Sequence, residues 1–311
     1  MSTKTKTKST TTERRDVYAD VTARIVGQLE AGVRPWHQPW QAGHPAGSIS
    51  RPLRSNSVPY RGINVLVLWL AAFERGYESP LWLTFQQAKE LGASVKKGET
   101  GTKVVYANTF EKKTADTETG DETTERIPFL KAYTVFNAEQ IEGLPARFHA
   151  PEVGPKPHAE RLAEAEAFFA NTEADTRHGG TRAFYCPAGD FIQLPDFDRF
   201  ESRESYYAVR THETIHWSKT EQRLGRRFDS KRFGDAGYAL EELVAELGSA
   251  FLAADLGLTP EVMPEHASYI ESWLKVLKSD SKAIFTAAAH AEKAAAYLHA
   301  FQPNRAETTD E

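Results

Sequence analysis

The strongest chemical signal in the chain is His212-Glu213-Thr214-Ile215-His216. Two histidines four positions apart lie one above the other on a helix face, so both imidazoles can reach one metal ion. Glu213, directly after the first histidine, is placed to take a proton from water at that ion, which is the chemistry of a metal-dependent hydrolase. Such a catalytic site uses three protein ligands and keeps a fourth position open. The third is expected from the run Glu241-Glu242-Leu243-Val244-Ala245-Glu246. In this reading Glu242 binds the ion. Glu246, one helical turn on, accepts the second ring N–H of a ligating histidine and fixes its tautomer. Glu241 competes for the ligand role, because helix phase is not set to one residue by sequence. Tyr206, Tyr207 and Tyr238 are equal candidates for steadying an oxyanion. The expected ion is Zn²⁺, with another divalent metal as the alternative. The single Cys186 excludes a cysteine-rich metal knuckle and any intrachain disulfide, and a reducing cytoplasm is the natural setting.

These side chains need helices to hold them. The apolar spacing predicts helices over about 204–220, 238–254, 264–278 and 281–301, preceded by one near 159–170. A hairpin is expected in which Ala183–Cys186 and Phe191–Leu194 flank a Pro187–Asp190 turn, its edge offering a place for an extended peptide. Before residue 146 the pattern is α+β. Helices are predicted from Val17, capped by Asp16, from about Val65, capped by Asn64, and from Thr84, which has capping-box spacing to Gln87. Strands are predicted over 103–110 and 129–137, with the acidic, Thr-rich stretch 111–125 between them as a hairpin insertion of little order. The expected organisation is a basic tail (1–15), an α+β domain (16–145), a Pro-rich linker (146–158), a mostly helical domain with a small sheet (159–303) and a short tail (304–311).

Apolar residues make up 40% and charged residues 26% of the 311, an ordinary balance for a folded chain, and no apolar run approaches the ~18 residues of a membrane span. The net charge of −5 divides unevenly: residues 1–150 carry +4 and the remainder −9. Omitting 111–125 raises the first figure to +8. A basic module that can face phosphates is thus joined to an acidic one. Four of the six Trp fall before residue 83, among scattered cations. Trp36 and Trp40 with Arg54, Arg61, Lys96, Lys97 and Lys103 are the candidates for a single-strand platform, on which rings stack bases and cations meet phosphates without sequence preference. Trp69, inside VLVLWLAAF, reads as core.

The stretches PWHQPW (35–40), YRGINVLVLW (60–69), WLTFQQAKELGASVKKGETG (82–101) and YTVFNAEQIEGLP (133–145) resemble the single-stranded-DNA-binding domain of ArdC-type antirestriction proteins, shared with TraC-type conjugative primases. DFIQLP (190–195), YYAVRTHETIHW (206–217), RLGRRF (223–228) and YALEELVAELGSAFL (238–252) are similar to the zincin-type metallopeptidase domain of the same family. The likeness runs from about residue 16 to 302 and adds Tyr60 and Asn64 to the DNA-binding candidates. It implies a mobile-element protein that shields incoming DNA from restriction in the cytoplasm of a recipient bacterium. It also implies zinc on His212, His216 and the Glu241-Glu242 pair, with Glu213 as general base. Two function classes follow. In one, the protein protects by occluding single-stranded DNA. In the other, it is a zinc metalloendopeptidase of gluzincin type that cleaves a host protein, with DNA binding serving to localise it.

Overall fold

The computed structural model describes residues 16–36, 50–115, 122–148, 158–228, 235–258 and 269–303. The tails, Trp40 and most of the Pro-rich linker lie outside these ranges. Helix α1 (Val17–Glu30) starts at Asp16, whose side chain accepts from the Tyr18 N–H, and buries Val21, Ile25 and Leu29. Strand β1 (Leu53–Arg54) leads to helix α2 (Ile63–Arg75). The cap of α2 is Gly62 at φ 57°, not Asn64. Asn64 lies inside the helix, and its amide both donates to and accepts from the Val105 main chain at 2.8 Å, tying the helix to a strand. Strand β2 (Leu81–Thr84) runs into helix α3 (Phe85–Glu90) through the anticipated Thr84/Gln87 capping box.

Strands β3 (Ser94–Val95), β4 (Thr102–Ala115), β5 (Glu122–Asn137) and β6 (Ile141–Glu142) complete the first half. A four-stranded sheet has the order β1-β2-β5-β4, and β3 pairs with β6. The 111–125 stretch departs from expectation. The antiparallel ladder continues as far as Ala115 opposite Glu122, because threonine-rich polar sequence favours an extended backbone and does not interrupt the pairing.

The second half begins with helix α4 (His158–Asn171) and a sheet of β7 (Asp175–His178), β8 (Phe184–Cys186) and β9 (Phe191–Leu194) in the order β7-β9-β8. The β8–β9 hairpin matches the expected one; β7, parallel to β9, was not foreseen. Helices α5 (Arg203–Trp217), α6 (Ala236–Leu256), α7 (Ile270–Ser279) and α8 (Ala283–His299) follow.

The two halves share one hydrophobic core. Helix α1 packs on α7, and α2 on α8. Trp69 meets Phe251 at 5.9 Å between ring centroids. A buried ionic joint reinforces the contact. The Arg51 guanidinium donates to both oxygens of Asp255, at 2.7 and 2.8 Å, and to Glu292 at 2.7 Å. Burying this charge is tolerable only because every side of it is paired.

Candidate metal centre

Helix α5 starts at a Ser202/Ser205 capping box and becomes progressively enclosed, so that His212, Glu213 and His216 are all buried. Helix α6 lies against it at Gly248, where a Cβ would stand only 2.8 Å from Ile215 Cδ1. This close approach brings Glu242 beside both histidines. His216 Nε2 is 3.1 Å from His212 Nε2, and the Glu242 oxygens lie 3.4 Å from His212 Nε2 and 3.6 Å from His216 Nε2. A tetrahedral ion with bonds of about 2.0–2.1 Å separates its ligand atoms by about 3.3 Å, so these three side chains already stand near the spacing of a divalent-metal face.

The groups that orient the histidines differ in detail from the sequence reading. Glu241 takes the place anticipated for Glu246: its Oε1 lies 3.0 Å from His216 Nδ1. Receiving the Nδ1 proton there directs the lone pair of Nε2 toward the cluster. Glu241 is in turn gripped by Arg226, whose Nε and Nη2 donate to Oε2 and Oε1 at 2.8 and 2.9 Å. Glu246 faces the other way. It accepts from Trp36 Nε1 at 3.3 Å and from Arg34 at 3.5 Å, joining the N-terminal half to α6 one turn beyond Glu242.

The electrostatics follow the contacts. Burial opposes the charged form of Glu241, but Arg226 and His216 outweigh it and hold the pKa down at about 2. Burial likewise opposes ionisation of Glu242, and its bonds to His212 and His216 depress it further below the usual carboxylate range. Burial lowers the pKa of His216, but hydrogen bonds to Glu241 and Glu242 reverse this and raise it to about 9.

Glu213 accepts the Tyr185 main-chain N–H at 2.8 Å, which fixes its carboxylate against strand β8. The edge of the hairpin therefore spends that donor inside the protein, at the point where an added peptide strand would require it. Of the three tyrosines, Tyr238 is the one beside the ligands. Its hydroxyl is 3.1 Å from that of Tyr269, and burial, Tyr269 and Glu242 together raise its pKa. Tyr206 lies 3.0 Å from His178 Nε2, and Tyr207 donates to Glu166 at 2.7 Å.

The DNA-binding candidates separate by exposure. Trp36 is fully buried against Trp273, so it has no face for a base, and Tyr60 is also buried, with Arg54 over its ring. Asn64 is committed to Val105. Arg54, Arg61, Lys96, Lys97 and Lys103 are exposed, with Lys96 also donating to the Glu139 carbonyl at 2.7 Å. Among the described residues of this half, the exposed aromatic rings are Phe73, Phe85 and Tyr106; Phe85 and Tyr106 are the most open, at 59% and 49%, and sequence reasoning passed over them in favour of Trp. Arg226, Tyr185 and Gly248 were also missed. Two signals were available: a glycine within a long apolar helix, and the place of Arg226 inside the matching stretch RLGRRF.

Comparison with known proteins agrees with this architecture. The N-terminal domain of anti-restriction factor ArdC matches residues 15–136, and a zincin-like metallopeptidase model matches residues 163–290. The metal-free crystal structure of antirestriction ArdC protein from R388 plasmid superposes with a TM-score of 0.77 at 46% identity, covering 92% of this chain and 97% of that one. The Mn(II)-bound form gives 0.76 at 43% identity, over 94% and 100%. Protein y4eC of Sinorhizobium fredii is 43% identical over 92% of each chain. DNA primase TraC of Escherichia coli is 37% identical over 93% of this chain, which spans 27% of TraC. The second half thus has a zincin-like metallopeptidase fold with a donor set suited to a divalent ion. The chain as a whole belongs to the ArdC antirestriction family. No described helix is long and apolar enough to cross a membrane.

Proposed function

We propose that this protein binds single-stranded DNA and so shields incoming DNA from restriction in the cytoplasm of a recipient cell, with Zn²⁺ held by His212, His216 and Glu242. The observation that carries the reading is the end-to-end likeness of both halves, joined in one core, to the R388 antirestriction protein. Arg54, Arg61, Lys97 and Lys103 supply phosphate contacts, and Phe85 and Tyr106 supply stacking faces. A divalent ion at the histidine pair supplies Lewis acidity to whatever oxygen it meets. Glu213, fixed by the Tyr185 N–H, keeps its other oxygen to receive a proton. The occupied main-chain donor of β8 argues against capture of an extended peptide along that strand, and therefore for protection by DNA binding over cleavage of a host protein.

A restriction-protection assay on wild type, Glu213→Gln and Lys97→Ala/Lys103→Ala tests this, with metal content and single-strand affinity measured on each sample. Protection is expected to survive Glu213→Gln and to fall with the loss of the two lysines. Loss of protection in Glu213→Gln with metal and DNA affinity intact would make hydrolysis the active principle and overturn the proposal.

A further inference from the structure

We propose that Arg226 decides which of two adjacent glutamates binds the metal, by clamping Glu241 in the outer position and leaving Glu242 as the ligand. This rests on the reading that His212, His216 and Glu242 hold a divalent ion. Glu241 and Glu242 are neighbours on α6, and both contact His216: Glu241 at Nδ1, Glu242 at Nε2. Either carboxylate is chemically able to bind a cation, so something must separate their roles.

The separating contact is the two-pronged grip of Arg226. A guanidinium bound through Nε and Nη2 fixes the plane of the carboxylate as well as its position. With both Glu241 oxygens engaged by Arg226, Oε1 also faces His216 Nδ1, on the other side of the ring from Nε2, where Glu242 lies. The Arg226 side chain is 1% exposed, so the clamp is shielded from solvent, and its remaining donors reach the Ile215 carbonyl at 2.9 Å and Ser218 Oγ at 3.4 Å. It thereby holds the end of the histidine-bearing helix and the outer carboxylate in one unit. Lys219 Nζ, 3.9 Å from Glu241 Oε1, adds positive charge on the same side. His290, also near Arg226, has its pKa lowered by burial and then by that guanidinium's charge. Arg226 is a positioning residue: it touches neither the ion nor a substrate.

The test uses the full chain, stripped of metal and titrated with Co²⁺, whose visible absorption reports coordination. Wild type, Arg226→Gln, Arg226→Lys, Glu241→Gln and the Arg226→Gln/Glu241→Gln double variant are compared, with folding checked by circular dichroism. Arg226→Gln is expected to weaken Co²⁺ binding by about 10–100-fold, as for other groups that orient a ligand, and to alter the absorption bands as Glu241 enters the coordination sphere. Arg226→Lys, which keeps the charge but not the fork, should show the same altered bands with a smaller loss. The double variant should bind no worse than Glu241→Gln alone, because the clamp has nothing left to hold. Should Arg226→Gln unfold, the Lys variant decides the matter. Folded Arg226 variants with wild-type affinity and bands, or losses that simply add in the double variant, would refute the clamp. Failure of wild type to bind Co²⁺ would instead remove the metal reading beneath it.

Discussion

Substitution of Gly248 by alanine probes how the metal site is spaced. The new methyl would lie 2.8, 2.9 and 3.2 Å from Ile215 Cδ1, Cγ1 and Cγ2, where ordinary contact begins at 3.4 Å. Ile215 is fully buried and cannot swing away, so α5 and α6 must separate by about 0.6 Å. Overpacking of this kind costs about 1–3 kcal/mol. Replacing a mid-helix glycine returns about 1 kcal/mol. A net loss of about 1 kcal/mol lowers Tm by about 2–4 °C in a protein of this size. The effect on metal should be larger in proportion, since His212 and His216 ride on one helix and Glu242 on the other, and coordination tolerates only about 0.2 Å. A tenfold or greater loss of Zn²⁺ affinity is expected by competition titration with a chromophoric chelator. In an Ile215→Ala background all three crowding atoms are absent, and the same Gly248→Ala change should then stabilise and leave affinity unchanged. A Gly248→Ala protein with raised Tm and unaltered affinity while Ile215 is present would refute the argument.

Other consequences are open to direct measurement. For the metal-free protein, His216, raised to about 9 from its ordinary 6.5, contributes stability that is complete below pH 6.5 and lost as pH rises through 9. Glu241, lowered to about 2 from 4.5, contributes stability present above pH 4.5 and lost as pH falls toward 2. Thermal melts in chelator should therefore peak between about pH 4.5 and 6.5, and a maximum near pH 9 would contradict the buried network. Metal must displace the His216 proton, so apparent affinity should climb about tenfold per pH unit between 7 and 9, with proton release visible by calorimetry in buffers of different ionisation enthalpy. Asn64→Ala removes both bonds to the Val105 main chain and should cost about 2–3 kcal/mol in denaturant unfolding, whereas a loss below about 0.5 kcal/mol would show that water replaces them. Lys97→Ala and Lys103→Ala should each reduce the slope of log affinity for single-stranded DNA against log salt by about 0.7; unchanged slopes would place the strand elsewhere.

Much of the metal site was legible because its chemistry follows helical periodicity. His212, Glu213 and His216 stand out by type and spacing, and the carboxylate run on α6 lies at a suitable distance. The roles of Glu241 and Glu246 could not be assigned, because each position turns a helix by about 100° and the run alone does not say which of its carboxylates meet the histidines. The role of Arg226 lay beyond reach for a different reason: it comes from a non-periodic loop and meets Glu241 only through tertiary folding. Strand β7 has the sequence Asp-Thr-Arg-His, with no apolar alternation, since its residues are intermediate or exposed. Trp36 illustrates the commonest ambiguity. A tryptophan among cations suits a base-binding platform, yet its indole N–H also needs a partner when buried, and here it finds Glu246. Composition distinguishes neither outcome.

The continuous core across the two halves bears on how such a protein can be inherited. A recombination junction placed in the segment between Phe148 and His158 would sever the contacts of Trp36 with Trp273, Trp69 with Phe251 and Arg51 with Asp255, leaving apolar faces on both products and an Arg51 guanidinium parted from its carboxylates on one. Shuffling the halves separately thus carries a folding penalty that transfer of the whole does not. In TraC, 93% of this chain aligns to a portion making up 27% of the larger protein, so both halves are matched together there.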